Sequence, residues 1–497
     1  MSFNAQTGEF QFNDWDRQKT IAELSLLIPP HTLLSSDNET KPYECDGLSA
    51  YRQQPKLVIL AETIEQIQII VRYCQQHKIP MIARGAGTGL AGGVLAIHNS
   101  IVISLAKFNI IKSLDPITRQ AVLEPGVRNL AISEAAAEFN LYYAPDPSSQ
   151  IACSIGGNVA ENSGGVHSLK YGLTVNNVLA LKYIDINGDI ITLNSDLTHH
   201  TGLDLLALMN GSEGMLGIII EITVRLIPKP QHVQVLLAGF SKIADAGACV
   251  RDIIASGIIP AGLELMDKLA IKAAEDFAHA GYPQCEALLI CELDGLETEV
   301  IEHVEQVTAI INNNHATSLK TAKDDAERQL LWKGRKSAFP AVGRIAPDYY
   351  CMDGTIPRKT LPEVLDKIND FSNHYGLAVA NVFHAGDGNL HPLILYDANI
   401  EGDLDKAEQF GADILELCVK KGGSITGEHG VGVEKIESMC HQFHSEELAQ
   451  LHAIKAAFDQ HGLFNPGKAV PELHRCAELG AMHVHNGKLP HPELERF

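Results

Sequence analysis

Four consecutive apolar residues, Leu57-Val58-Ile59-Leu60, are followed by apolar positions at Ile64, Ile67, Ile70, Val71 and Cys74, which return every three or four residues. The first pattern predicts a strand and the second a helix. Pro80–Ala83 predicts a second strand, and Ile101–Leu105 another. Between these two the chain breaks into 85-GAGTGLAGG-93, five glycines in nine residues. Glycine reaches positive φ at no steric cost and leaves backbone N–H groups bare, so such a loop can turn several amides onto one anion, typically a pyrophosphate. Its place after a β-α-β unit favours phosphate binding over a plain surface turn. The spacing is not G-x-G-x-x-G opening a helix, and a strand follows, so a nicotinamide fold is disfavoured.

Further along, Trp15–Leu27 predicts a helix halted by Pro29-Pro30, Gln120–Leu123 a strand, and Arg128–Phe139 an alanine-rich helix. The stretches 144-APDPSS-149 and 154-SIGGNVAENSGG-165 are almost wholly small, polar or glycine. Loops of that length in a compact domain usually touch a ligand. Val178–Ile186 and Asp189–Leu193 flank Asn187-Gly188, the signal of a type I′ hairpin. A strand over Ile218–Ile227 follows 211-GSEGMLG-217, and Pro228-Lys229-Pro230 ends it at a domain boundary.

Beyond that triplet, strands near Val233–Ala238, Ala287–Glu292, Leu377–Phe383 and Leu390–Tyr396 alternate with helices near Ala244–Ala255, Thr298–Asn312, Leu361–His374 and Leu404–Lys420. The order predicts an α+β domain with helices on one face of an antiparallel sheet. Ser445–His461 predicts a last helix, stopped by 462-GLFNPG-467.

Composition narrows the class. A chain of 497 residues, 45% hydrophobic, can bury two or three cores. With 39 basic against 61 acidic residues the net charge is −22, which repels phosphate backbones and argues against nucleic acid as a partner. No apolar run reaches the ~18 residues of a membrane span, and the first thirty residues lack a secretion signal, so a soluble cytoplasmic chain is expected. The ten cysteines are scattered without C-x2-C spacing and are expected to be reduced, mostly buried thiols.

A second constellation is 384-HAGDGNLH-391 with 426-TGEHG-430. In a chain with 22 histidines, a pair at any one fixed separation arises by chance about once. Here, however, His384 ends one predicted strand and His391 opens the next, so a Gly-Asp-Gly-Asn turn can bring both imidazoles together. Glu428 could complete a His-His-Glu set with open positions, the catalytic type of divalent site. Spacing alone leaves this reading level with two satisfied histidines and a solvated acid.

Jointly, 84-RGAGTGLAGG-93, 145-PDPSS-149, 156-GGNVAENSGG-165, 171-YG-172, 211-GSEGMLG-217, 384-HAGDGNLHP-392, 426-TGEHG-430 and 464-FNPGK-468 resemble the FAD-dependent 2-hydroxy-acid dehydrogenases of the vanillyl-alcohol-oxidase type. The stretches 42-PYECDGLSAYR-52, 145-PDPSSQIACSIGGNVAEN-162 and 474-HRCAELGAMHVH-485 are similar to family members that serve as flavin-binding subunits of larger oxidases. The resemblance implies an α+β fold. A two-subdomain FAD-binding domain would span residues 1–230 and a ferredoxin-like cap bearing a metal site residues 231–440. Residues 441–497 would return to the FAD domain. It implies that Arg84, Gly85, Ala86, Gly87, Thr88 and Gly89 hold the pyrophosphate. Pro145, Asp146, Ser148, Gly156, Gly157, Asn158, Ser163, Gly164, Tyr171, Glu213, Ile218 and Asn465 would line the rest of the cofactor.

The resemblance further implies His384, His391 and Glu428 as ligands of one divalent ion (zinc, manganese or iron), His429 as acid–base residue and Arg335 as clamp on a substrate carboxylate. Taken as residues alone, Arg335 could instead pair with an acidic surface group, and His429 could be a third metal ligand. The implied reaction is hydride transfer to FAD from a small 2-hydroxy acid, glycolate to glyoxylate first and D-lactate second. Leu393 stands where relatives acting on dicarboxylates often have Asn, which disfavours larger diacids. Without iron–sulfur or haem spacing, electrons are expected to pass to a second flavin subunit and an iron–sulfur subunit, with any membrane contact through them. A stand-alone D-lactate dehydrogenase feeding quinone or cytochrome, and a non-catalytic flavin-binding subunit, remain as other readings.

Relatives with covalently attached flavin carry histidine in the first glycine loop, where this chain has Thr88. The flavin should therefore be non-covalent. Acid precipitation should leave the yellow colour in the supernatant; colour kept in the pellet would contradict this.

Overall fold

The computed structural model describes residues 2–3, 10–12, 14–194 and 202–471. Cys476 and the stretch 474–485 lie outside the described residues. The apolar runs at the start form a four-stranded sheet in the order Leu33–Leu34, Leu57–Leu60, Ile101–Ser104, Met81–Arg84, with the last three strands mutually parallel. Ile64–His77 packs on it through Ile67, Ile70, Val71 and Cys74, capped at its start by Thr63, whose hydroxyl accepts from Gln66 N. The glycine loop thus leaves the carboxyl end of a parallel strand, the usual place for a ligand in such sheets.

Five antiparallel strands form a second sheet, ordered Ile190–Asn194, Val178–Ile184, Ile218–Arg225, Gln120–Leu123, Ile111–Asp115. Its hairpin departs from the expected type I′ turn. Gly188 alone of the Asn-Gly pair takes positive φ, 77°, and Gly188 N donates to Asp185 O at 3.0 Å. Asp185 Oδ1 accepts from the amides of Asn187 and Asp189, so a side chain replaces what two left-handed residues would supply.

The later residues build a seven-stranded antiparallel sheet: Ser318–Thr321, His232–Phe240, Ala287–Gly295, Gly262–Asp267, Val379–His384, Asn389–Tyr396, Asp348–Cys351. The four predicted helices, at Ile243–Ala255, Glu297–Asn313, Leu361–Tyr375 and Asp403–Lys420, share one apolar core with one face. The expectation that only one face carries helices is corrected: Lys268–Ala278, Asp325–Lys336 and Ala338–Val342 cover the other. Their cover explains why these antiparallel strands are apolar on both sides. Cys440 is disulfide-bonded, correcting the expectation of reduced thiols there, whereas Cys45, Cys74, Cys153, Cys249, Cys285, Cys291, Cys351 and Cys418 are free.

After the helix Ser445–Phe458 the chain runs back to the first sheet: Met81 N donates to Leu463 O at 2.7 Å and Asn465 N to Met81 O at 2.8 Å. Lys455 fastens this return, its Nζ donating to Met215 O, Phe464 O and the buried Asp459 carboxylate at 2.6, 2.8 and 2.7 Å. Removing one partner of a buried ion pair strands the other charge, at a cost of about 3–5 kcal/mol. Lys455→Met should lower the melting temperature accordingly, and adding Asp459→Asn should recover part of the loss.

Candidate active site

In the cap sheet, Val382 stands opposite His391, and His384 stands opposite Asn389. That register places His384 and His391 diagonally on one face of the hairpin, their ring centroids 5.0 Å apart. The next strand sets Glu264 beside His384, with Glu264 Oε1 2.7 Å from His384 Nδ1. His391 Nδ1 donates to Met352 O at 3.2 Å. With both Nδ1 atoms engaged, both Nε2 atoms face Glu428 Oε1, at 3.3 Å from His384 and 2.9 Å from His391. Burial opposes charge on Glu428, but the two histidines hold its carboxyl well below the usual range. Burial likewise opposes charge on His384, and Glu264 with Glu428 raises it well above the ordinary value.

Two groups bring three ligand atoms within 4.8 Å of one another: His384, His391 and Glu428, or Cys351, His391 and His429. Ring geometry separates them. A metal lies in the plane of each imidazole that binds it. The rings of His384 and His391 cross at 88°, so their planes share a line on which one ion can sit. His391 and His429 are stacked at 4.9 Å with planes 7° apart, so one ion cannot lie in both planes. The first group fits a divalent ion, with outer partners on both histidines as such sites require; the second does not.

His429 is partly buried, and its Nδ1, shielded from solvent, has no hydrogen-bond partner among the described residues. Burial drives its pKa down to about 4, so the ring is neutral and can accept a proton. Arg335, 1% exposed, lies behind the histidines with Nη2 2.5 Å from Glu264 Oε2. That acid is buried, not on the surface. Arg335 Nε and Nη2 still lack a well-aligned acceptor among the described residues.

A cavity of about 460 Å³ joins the two constellations. Gly85, Ala86, Gly87, Thr88 and Gly89 line one part with Ser148, Gly157, Asn158 and Ser163, while His391, Glu428, His429 and Lys336 line another. Gly156 and Glu213 line a small space of about 60 Å³ that shares Gly85, Gly157 and Glu161 with it. At Gly85 the cradle has no room for a side chain: a Cβ there would meet Ser154 Oγ at 2.4 Å. Asn158 Nδ2, on the wall, is buried without a hydrogen-bond partner among the described residues. A glycine-floored cleft with an unused donor fits a large phosphate-bearing cofactor.

Other residues carried over from the resemblance stand elsewhere. Arg84 turns beneath the loop, its Nη2 donating to Cys45 O at 2.9 Å, and leaves the amides to face the cavity. Pro145 O accepts from Asn129 Nδ2, and Gly164 abuts Glu428. Asp146 lines a separate polar cavity of about 730 Å³ with His167, Glu292 and Asp294. Tyr171 donates to Asp294 Oδ2 at 2.6 Å. Ile218 is core, and Asn465 Nδ2 donates to Gly93 O and Glu213 O at 2.9 and 2.6 Å, bracing the loops from behind. Sequence reasoning missed Glu264, Met352 and Asp353. The signal for Glu264 was an acid within the otherwise apolar 262-GLELM-266.

A family model described as FAD linked oxidases, C-terminal domain, matches residues 229–469, and one described as FAD binding domain matches residues 55–194. The chain is 59% identical over 485 residues to glycolate oxidase subunit GlcD of Escherichia coli (strain K12), covering 97% of each. It is 38% identical over 428 residues to glycolate oxidase subunit GlcD of Bacillus subtilis (strain 168), covering 86% of this chain and 91% of that protein. Among solved structures, p-cresol methylhydroxylase with substrate bound matches at a TM-score of 0.79 and 18% identity, over 92% of this chain and 97% of that one. The likeness establishes the fold class expected from the sequence.

Gly87 sits in this loop at φ 69°, with Arg84 Nη2 2.2 Å from where a Cβ would be. A left-handed non-glycine residue costs roughly 1–2 kcal/mol. Gly87→Ala should therefore weaken FAD binding about tenfold, read by fluorescence titration of the stripped protein, with the far-ultraviolet spectrum unchanged.

Proposed function

The chain belongs to the FAD-linked oxidases, and from that premise we propose that it oxidises a small 2-hydroxy acid, glycolate first and D-lactate second. The observation that carries the reading is the seating of His391, Glu428 and His429 on the same cavity wall system as the glycine loop. FAD would lie against Gly85–Gly89, Ser148, Gly157, Asn158 and Ser163, and when bound supplies the hydride acceptor. One divalent ion held by His384, His391 and Glu428 would supply Lewis acidity toward the substrate oxygens.

The chain's own residues supply orientation and proton transfer. Arg335, ion-paired with Glu264 and outside the cavity lining, would have to turn from that carboxylate to take a forked grip on the substrate's. Lys336 adds a second positive charge on the cavity wall. His429, neutral and lining the cavity, takes the hydroxyl proton. Leu393 is fully buried in the cap core and offers no donor to a second carboxylate, which favours small monoacids.

Electrons then leave to partners, a second flavin subunit and an iron–sulfur subunit. The names of the relatives as subunits support this. No helix among the described residues is long and apolar enough to cross a membrane. On this reading the chain works in the cytoplasm and would reach a membrane only through those partners. The same reading divides it into residues 1–230, 231–440 and 441–497.

Anaerobic mixing with a panel of 2-hydroxy acids should bleach the flavin absorbance with glycolate or D-lactate and not with a larger diacid. His391→Ala should keep its flavin yet lose the metal and most of the bleaching rate. A wild-type chain that no 2-hydroxy acid bleaches, or a His391→Ala variant with full metal and full rate, would overturn the reading.

A further inference from the structure

The amides of Gly427, Glu428 and His429 all point at one carboxylate, that of Asp353, which is 0% exposed. Gly427 N lies 3.0 Å and His429 N 2.9 Å from Oδ2, and Glu428 N lies 3.2 Å from Oδ1. Thr426 Oγ1 donates to Oδ2 at 2.5 Å and Lys435 Nζ at 3.1 Å. Three successive inward amides are a nest of the kind that elsewhere captures an anion. Here the anion is internal. Lys435, itself wholly buried, also donates to Gly430 O at 2.8 Å and so ties the far end of the same loop.

Asp353 follows the edge strand Asp348–Cys351, which pairs with Asn389–Tyr396, the strand that carries His391. Its neighbour Met352 accepts from His391 Nδ1 and donates its amide to Pro392 O at 3.1 Å. One strand exit therefore touches His391 through Met352, and Glu428 and His429 through Asp353.

We propose that Asp353 is a positioning residue of the reaction: its buried carboxylate fills the backbone nest of Thr426–Gly430 and thereby fixes where Glu428 and His429 stand relative to His384 and His391. The inference rests on the reading of those residues as metal ligands and base. Loss of an outer partner of a metal site typically lowers metal affinity or activity 10–100-fold. A merely structural buried acid would lower thermal stability and leave each folded, flavin-loaded molecule as active as before.

The test uses the full flavin-loaded chain, comparing wild type with Asp353→Asn, Thr426→Val and Thr426→Ser. Melting temperature, bound divalent metal after gel filtration, and glycolate-driven anaerobic bleaching per bound flavin are measured. Asp353→Asn should lose metal affinity and bleaching rate at least tenfold while keeping its flavin spectrum. Thr426→Val should fall in the same direction and Thr426→Ser, which keeps the hydroxyl donor, should recover. If Asp353→Asn does not fold, the Val–Ser contrast decides. A flavin-loaded Asp353→Asn with wild-type metal and rate, or equal rates for Val and Ser in that case, would overturn this inference alone. A wild type that holds no metal and is not bleached would overturn the functional reading and this inference together.

Discussion

Three carboxylates, the buried Glu264 and Asp353 and the cavity-lining Glu428, stand together at one side of the cavity, and the architecture around them depends on matching each with donors. An isolated ion in such surroundings costs several kcal/mol even after relaxation. Glu264 is met by His384 and Arg335, Glu428 by His384 and His391, and Asp353 by a loop of amides and Lys435. His384 serves two of the three, so the groups form one connected set rather than separate pairs. Such a set leaves little freedom of register. A one-residue slip between Val379–His384 and Asn389–Tyr396 would turn one histidine to the opposite face and leave Glu428 with half its partners.

Much of the scaffold was legible because its signals are local. Gln120–Leu123 and Leu57–Leu60 have the expected bounds, and the helix read from Ile64 to Cys74 extends only to His77. The strand Gly262–Asp267 was not legible, because Glu264 interrupts its apolar run and its reason for being there is a histidine 120 residues away. Asp325–Lys336 escaped for the opposite reason. Half of its sequence, DAERQLLWKGRK, is charged, and only Leu331, Trp332, Gly334 and Arg335 are buried. Overlooking this helix and Lys268–Ala278 removed one layer of the cap from the sequence reading.

The glycine loops were readable because a cradle for an anion must be contiguous backbone, and contiguous backbone is contiguous sequence. Membership of a motif still did not mean contact. Arg84 opens the first loop but packs beneath it against Cys45 O, with its guanidinium carbon 5.5 Å from the Tyr43 ring centre, so Gly85–Gly89 line the cavity and Arg84 does not. Asp353 shows the converse. It sits in no motif, 74 to 76 residues before the amides it binds, and only the pairing of Asp348–Cys351 with the histidine-bearing strand brings it near.

Glu428 and His429 are neighbours in sequence yet differ in chemistry, and the reason is orientation. The Glu428 carboxylate meets the right-angled pair His384–His391, with Oε1 within 3.3 Å of both Nε2 atoms. The His429 ring lies flat against His391 with its plane almost parallel, a placement that excludes a shared ion. The same burial acts oppositely on the two side chains. Partners keep the carboxylate of Glu428 ionised, whereas His429 has too few to stay charged and remains a neutral base. A loop anchored at its amides rather than at its side chains leaves both side chains free for the ligand and base roles proposed for them, because neither is needed to hold the loop in place.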